Sequence, residues 1–209
     1  MSLMRPSGTP ARRRQIGVVI VSALLGFSVP GWGWAADAVS VTGRIEVEGL
    51  RSSAGVVVSL EQPGLEVSAP AEPVQMDQKG LRFIPHVLPV VVGTTVRFLN
   101  NDPEPHNVYS PEGRYNLGTW PQGEVRDYRF TRTGEYTQLC RIHPEMEAFV
   151  VAVRTPYFAT TSDDGHFEIP GVPPGDYMLV VWSERLGRHE EPLSVSSEAT
   201  ASVDVKLTR

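Results

Sequence analysis

Short β-type runs, frequent chain-breaking residues and the lack of a helical rhythm predict an all-β chain. The 209 residues carry 18 Pro and 19 Gly, spread among runs rich in Val, Ile, Tyr and Phe. No stretch keeps apolar residues at i, i+3 and i+4 across three helical turns, so the punctuated runs read as strands.

Taken in order, the first strands are expected at Val41 to Val47 and Gly55 to Leu60, where Ile45 and Val47 alternate with Arg44 and Glu46 before a turn at Gly49. A longer middle group follows at Leu81 to Phe83, Val87 to Val92, Thr95 to Leu99, Val125 to Phe130, Glu135 to Leu139 and Phe149 to Val153. Gly93, Asn100-Asn101-Asp102-Pro103, Gly123 and Thr133-Gly134 supply its turns. A third group begins at Asp163-Asp164-Gly165 and takes in Phe167 to Ile169, Tyr177 to Trp182 and Ser202 to Leu207. Gly171-Val172-Pro173-Pro174-Gly175 is expected as a bend that no helix accepts.

The N-terminus reads as an export signal. Arg5 and Arg12-Arg13-Arg14 form a basic region, Ile16 to Phe27 is apolar, and small residues around Ala35 or Ala38 offer cleavage. The apolar run is short for a membrane span, and no stable span is expected after processing. Arg13-Arg14-Gln15-Ile16 is similar to a twin-arginine signal, but Gly17 stands where a second large apolar residue belongs, so Sec export is the expectation. A periplasmic or otherwise exported location follows. Loss of residues 1–35 removes four Arg and no acid, making the chain more acidic than its formal −5. No basic run then remains to neutralise phosphates, which argues against nucleic acid.

Cys140 is the lone cysteine and can form no disulfide within the chain. In an oxidising compartment a free thiolate is exposed to oxidation unless it is buried or metal-bound. Cys140-Arg141-Ile142-His143-Pro144-Glu145-Met146, read with His106 in Pro105-His106-Asn107, offers one thiolate, two imidazoles and one thioether. That donor set suits a single copper ion: two His and a Cys in a plane with a weak axial Met tolerate both Cu(I) and Cu(II). His106 is expected beyond the Thr95 to Leu99 strand across a Pro-rich loop, Cys140 at the end of Glu135 to Leu139, and His143 and Met146 on the loop before the last middle strand. All four can then converge at one end of a sandwich.

Met146 taken alone reads as core packing. His86 reads as a loop or strand-edge side chain, His166 and His189 as solvent-facing, and Trp120 as packing near the site.

Residues 76 to 153 resemble a cupredoxin through Phe83-Ile84-Pro85, Val92-Gly93-Thr94-Thr95-Val96-Arg97-Phe98 and Asn100-Asn101-Asp102 ahead of the first His. Cys-x-x-His-Pro-x-Met has the short amicyanin-like spacing rather than the longer plastocyanin-like one. The exported chain also resembles the plastocyanin-like proteins often labelled methylamine utilisation proteins, through Gln78-Lys79-Gly80, His106-Asn107-Val108-Tyr109-Ser110, Asn116-Leu117-Gly118 and Thr155-Pro156-Tyr157-Phe158. The resemblance implies His106, Cys140 and His143 as strong ligands, Met146 as the axial one, and one type 1 copper. It implies that Asn107 ties the two ligand loops together by hydrogen bonds to the residue after Cys. That residue is commonly Ser or Thr and is Arg141 here, which departs from the pattern for the side-chain half of the brace and leaves the backbone of Arg141 to contribute.

Val41-Thr42-Gly43-Arg44-Ile45, Gly55 to Leu60, Thr161 to Ile169, Val172 to Leu179 and Val203 to Leu207 resemble a carboxypeptidase regulatory-like, transthyretin-like sandwich. The expected organisation is a signal peptide at 1–35, the first part of this sandwich at 39–72, a Greek-key cupredoxin at 73–154 inserted in or abutting it, and its second part at 155–209.

The resemblance implies an exported one-electron carrier, and no enzyme, because four protein ligands leave little room for substrate. Electrons are expected to leave through the edge of His143, in a small apolar face of Ile142, Pro144, Pro103 and Pro105. The flanking acids Asp102, Glu104, Glu145 and Glu147 favour redox donor and acceptor proteins with a basic docking rim. Copper handling or sensing, or a binding module in which copper is auxiliary, are the alternatives.

Overall fold

Along Val39–Val47 (β1) apolar and polar residues alternate, so Val41, Ile45 and Val47 are buried while Arg44 and Glu46 face solvent. The structure, a computed structural model, describes residues 38–65, 67–197 and 201–208, and the expected signal segment lies outside them. β1 is the middle of a three-stranded sheet, antiparallel to His166–Val172 (β13) and parallel to Ala201–Leu207 (β16). The neighbouring strand comes so close at Gly43 that a Cβ there would lie 1.8 Å from the Val203 carbonyl oxygen. Facing this sheet are Phe158–Thr160 (β12), Val57–Glu61 (β2), Gly175–Ser183 (β14) and Gly187–Val195 (β15), in that order. Val41, Ile45, Val58, Leu60, Ile169 and Leu179 fill the space between the two sheets of this outer sandwich.

β2 and β12 are direct antiparallel neighbours, Ser59 opposite Phe158 and Val57 opposite Thr160. The chain between them builds a second, inner sandwich, so one sandwich interrupts the other. Its first sheet runs Val87–Val91 (β5), Glu147–Val153 (β11), Gly134–Leu139 (β10), His106–Ser110 (β7), Tyr115–Trp120 (β8). Its second runs Phe83–Ile84 (β4), Val74–Gln78 (β3), Thr95–Leu99 (β6), Val125–Arg129 (β9). Chain order crosses repeatedly between the sheets, β6 to β7, β8 to β9 and β9 to β10, in Greek-key fashion. No helix occurs among the described residues, and the fold is all-β.

β11 reads Glu-Ala-Phe-Val-Val-Ala-Val because both its faces are covered. Ala148, Val150 and Ala152 enter the inner core, while Val151 and Val153 meet Val57 and Trp182 of the outer sandwich. Each such buried Val stabilises by about 1.5–3 kcal/mol. The ion pairs at the edge of this seam, His86 with Glu184 and Arg188 with Glu135, are partly exposed and contribute about 0–1 kcal/mol each. The apolar seam therefore holds the sandwiches together.

The expected strand at Leu81 to Phe83 is corrected: Gly80 and Leu81 both adopt left-handed backbone (φ 63° and 57°), and the strand is Phe83–Ile84. The expected bend at Gly171 to Gly175 narrows to Pro173 and Pro174, with β13 and β14 running up to it on either side. Strands β3, β7, β8, β12 and β15 had no counterpart in the sequence reading.

Candidate metal centre

The first ligand candidate is aimed by a loop that its own side chains knit. Asn100, buried just after β6, donates from Nδ2 to the carbonyls of Glu104 (2.9 Å) and Trp120 (3.1 Å), and its Oδ1 accepts the Asp102 N–H (2.9 Å). This loop delivers His106 as the opening residue of β7, paired with Trp120 of β8. Cys140 follows the last residue of β10. The hairpin from Cys140 to Met146 is closed by the Met146 N–H donating to the His143 carbonyl at 3.0 Å. Antiparallel pairing of β10 and β11, Leu139 opposite Glu147, brings the ends of that hairpin together.

The result is a compact cluster. His106 Nδ1 and His143 Nδ1 are 3.0 Å apart, Cys140 Sγ is 3.8 Å from His143 Nδ1, and the three donor atoms all lie within 4.8 Å of one another. His106 and Cys140 are buried and His143 is half-buried, so one imidazole edge reaches solvent. Met146 is buried in the same core cluster as Cys140 and Trp120. Two facing imidazole nitrogens and a neighbouring thiol suit a soft cation that takes N and S donors.

Asn107 braces the cluster from three directions. Its backbone N–H points at Cys140 Sγ (3.4 Å), its Oδ1 accepts the Arg141 N–H (3.3 Å), and its Nδ2 donates to Asn116 Oδ1 (2.8 Å) and the Gly118 carbonyl (2.7 Å). The tie to the residue after Cys thus runs through the backbone of Arg141. The Arg141 guanidinium lies over the Tyr109 ring, 5.0 Å from its centroid.

Asp102 does not join the surface acids. It is buried, and its Oδ2 accepts from His106 Nε2 (2.8 Å) and Leu81 N–H (2.9 Å) while Oδ1 accepts from Gly80 N–H (2.6 Å). Burial pushes its carboxyl up, but the Leu81, Gly80 and His106 hydrogen bonds outweigh that and hold it below the usual carboxylate range. Sequence reading placed Asp102 on a docking rim because an Asn-Asn-Asp-Pro loop reads as solvent-facing. Its closeness to His106, four residues on, was the available signal. Glu104, Glu145 and Glu147 are exposed.

The other His residues lie outside the cluster. His86 contacts the Glu147 carbonyl (3.1 Å) through one ring nitrogen and Glu184 Oε2 (2.5 Å) through the other, at the margin of the two sandwiches. His166 and His189 are exposed. Trp120 is fully buried and packs with Cys140 and Met146.

A family model described as polysaccharide lyase family 4, domain II, matches residues 151–203, from the end of β11 into β16. A search of curated proteins finds no match. Among solved structures, a Cu-containing nitrite reductase from Thermus scotoductus SA-01 is similar at 28% identity and TM-score 0.39, over 46% of this chain and 25% of that one. A reduced amicyanin mutant is similar at 22% identity and TM-score 0.38, over 46% of this chain and 98% of that one. A purple cupredoxin from Nitrosopumilus maritimus is similar at 26% identity and TM-score 0.35, over 38% of this chain and 99% of that one. The inner sandwich is a Greek-key β-sandwich, with strands crossing between two sheets and the hairpin that carries Cys140, His143 and Met146 joining β10 to β11.

Proposed function

We propose that this chain is an exported one-electron carrier that would hold one type 1 copper ion through His106, Cys140 and His143, with Met146 as a weak fourth donor. The observation that carries this reading is the set of three donor atoms within 4.8 Å of one another at one end of the inner sandwich. Bound there, copper supplies a Cu(I)/Cu(II) couple.

The protein's part is to keep that site still. Asn107 fixes Cys140 and the Arg141 backbone to β7 and β8, so the donors hold one arrangement while an electron enters or leaves. The N–H of Asn107 also draws some negative charge from the thiolate. His143 gives the half-exposed edge through which electrons pass, beside exposed Ile142 and Pro144. Glu104, Glu145 and Glu147 favour donor and acceptor proteins with a basic rim, whose association slows as salt rises. Periplasmic location rests on the basic and apolar pattern of residues 1–35.

A second reading, an outer sandwich that binds a partner with copper as an auxiliary, draws on the likeness of residues 151–203 to domain II of a polysaccharide lyase family. Copper handling or sensing ranks lower, because the chain has one Cys and no Met cluster.

The test is an optical spectrum of the purified protein after Cu(II) addition, through a cycle of reduction and reoxidation. An intense sulfur-to-copper charge-transfer band is expected, absent in Cys140→Ser and kept in Met146→Leu with a higher potential. A colourless complex, or a band that survives Cys140→Ser, refutes the copper assignment.

A further inference from the structure

The inner sandwich buries a carboxylate that electron transfer does not by itself require. Asp102 is a buried carboxylate receiving three hydrogen bonds, two from backbone and one from His106 Nε2. Burying an anion is costly unless such donors meet it. The donors are built for the purpose. Gly80 and Leu81 are consecutive left-handed residues, and that backbone turns both N–H groups to one side as an anion-binding concavity. Leu81 holds φ 57° with a Cβ, a conformation L-residues avoid and that persists where the surroundings over-determine it. Asn100 Oδ1 clamps the Asp102 N–H, which fixes the carboxylate's own backbone.

A carboxylate accepts and does not donate, so its contact with Nε2 requires the proton of His106 on that nitrogen. Nδ1, the nitrogen facing His143 and Cys140, is then the bare one. We propose that Asp102 is a positioning residue for the metal centre, holding His106 in the tautomer that presents a free Nδ1 and making that nitrogen a stronger donor. The inference rests on the copper reading above for its effect on the ion, but its tautomer claim stands on the metal-free protein. Negative charge behind His106 favours Cu(II) over Cu(I), so Asp102 lowers the reduction potential.

The test uses the full chain. In metal-free wild type, ring 15N shifts should place the His106 proton on Nε2; a proton on Nδ1 overturns the inference without any variant. Asp102→Asn removes the charge at nearly constant size. Cu(II) affinity should fall about 10–100-fold, the range for partners of metal-bound His, with Cu(I) affinity falling less. Each tenfold of that difference raises the potential by about 59 mV for a one-electron couple. Glu104→Gln removes one acid from the same loop without touching His106 and should leave the potential near wild type. An Asp102→Asn potential equal to wild type, or a Glu104→Gln shift of the same size, overturns the positioning role while the colour of the wild type still supports copper. No colour in wild type, with Nε2–H intact, sinks the copper reading and leaves the hydrogen-bond claim standing.

Discussion

The outer and inner sandwiches each press two sheets around an apolar core, yet they bury different polar groups. Among the described residues, the buried polar ones of the outer sandwich and its linker are Ser59, Thr155, Thr161 and Ser183, all hydroxyls. The inner sandwich buries hydroxyls too, Thr94 and Ser110, but adds amides (Gln78, Asn100, Asn107, Gln138), a carboxylate (Asp102) and an imidazole (His106). Hydroxyls fit beside strands at little cost, whereas amides and charges need partners on several sides. Asn100, Asp102, His106 and Asn107 find those partners in one another and in the backbone around the ligand cluster. The buried side-chain atoms without a partner among the described residues, Gln78 Oε1, Thr94 Oγ1 and Trp120 Nε1, also lie in the inner sandwich. Local rules bend where a site is assembled and hold where a sandwich only has to fold.

The largest effect that separates the two regions comes from Gly43→Ala. The added methyl would lie 1.8 Å from the Val203 carbonyl oxygen and 2.8 Å from the Phe167 ring, so β1 and β16 have to part. A loss above about 4 kcal/mol is expected, in the range reserved for core disruption. The inner sandwich keeps its own core around Phe98, Val108, Phe130 and Val150. Copper colour at room temperature should therefore survive, with the calorimetric transition of the outer sandwich lowered or lost. Colour vanishing together with that transition would mean the seam at Val151, Val153, Val57 and Trp182 makes the two one cooperative body.

A paired substitution sharpens the contrast at medium scale. Tyr115 O–H donates to Gln138 Oε1 (2.5 Å), and Gln138 is fully buried in the inner sandwich. Tyr177 O–H donates to the Pro173 carbonyl (2.8 Å) at a partly buried site of the outer one. Tyr115→Phe should cost about 1–3 kcal/mol by stranding a buried acceptor, and Tyr177→Phe about 0.5–1.5 kcal/mol. Burial pushes both phenols above their ordinary value, that of Tyr115 far above it. A raised folded pKa means this stabilisation is whole below pH about 10, the unfolded value, and fades as pH rises towards the folded one. Denaturant melts at alkaline pH should show a shallower loss of stability in Tyr115→Phe than in wild type. Equal costs for the two substitutions would break the comparison.

The same contrast sets what could be read from the sequence. Val41 to Val47 was legible because period-2 alternation with solvent on one face is a local signal. Thr95 to Leu99 was legible to its ends. β15 was not: its Arg-His-Glu-Glu-Pro run is an edge strand whose polar side chains and Pro blunt pairing, and its register comes from β14. β8 was hidden by Asn116 and Gly118, which read as turn residues but bend an edge strand (Gly118 φ 79°). The three clustered side chains, His106, Cys140 and His143, were visible as spacing. Asp102 and the Gly80-Leu81 concavity were not, because their meaning lies in a contact across about twenty residues of chain that no periodicity reports.

The smallest expected effect lies where the two regions meet. His86 belongs to the inner sandwich and Glu184 follows β14 of the outer, and their 2.5 Å contact is the shortest charged one across the seam. The side chains are 54% and 34% exposed, so water competes for both and a pair of this kind contributes about 0–1 kcal/mol. Glu184→Gln should lower stability by no more than that, with the copper spectrum unchanged because His86 bonds to the Glu147 carbonyl, outside the donor cluster. A double-mutant cycle of His86→Ala with Glu184→Gln measures the coupling alone. Coupling above about 2 kcal/mol would show that the ion pair, and not the Val151, Val153 and Trp182 seam, sets how the sandwiches join, and would overturn the ranking drawn from burial.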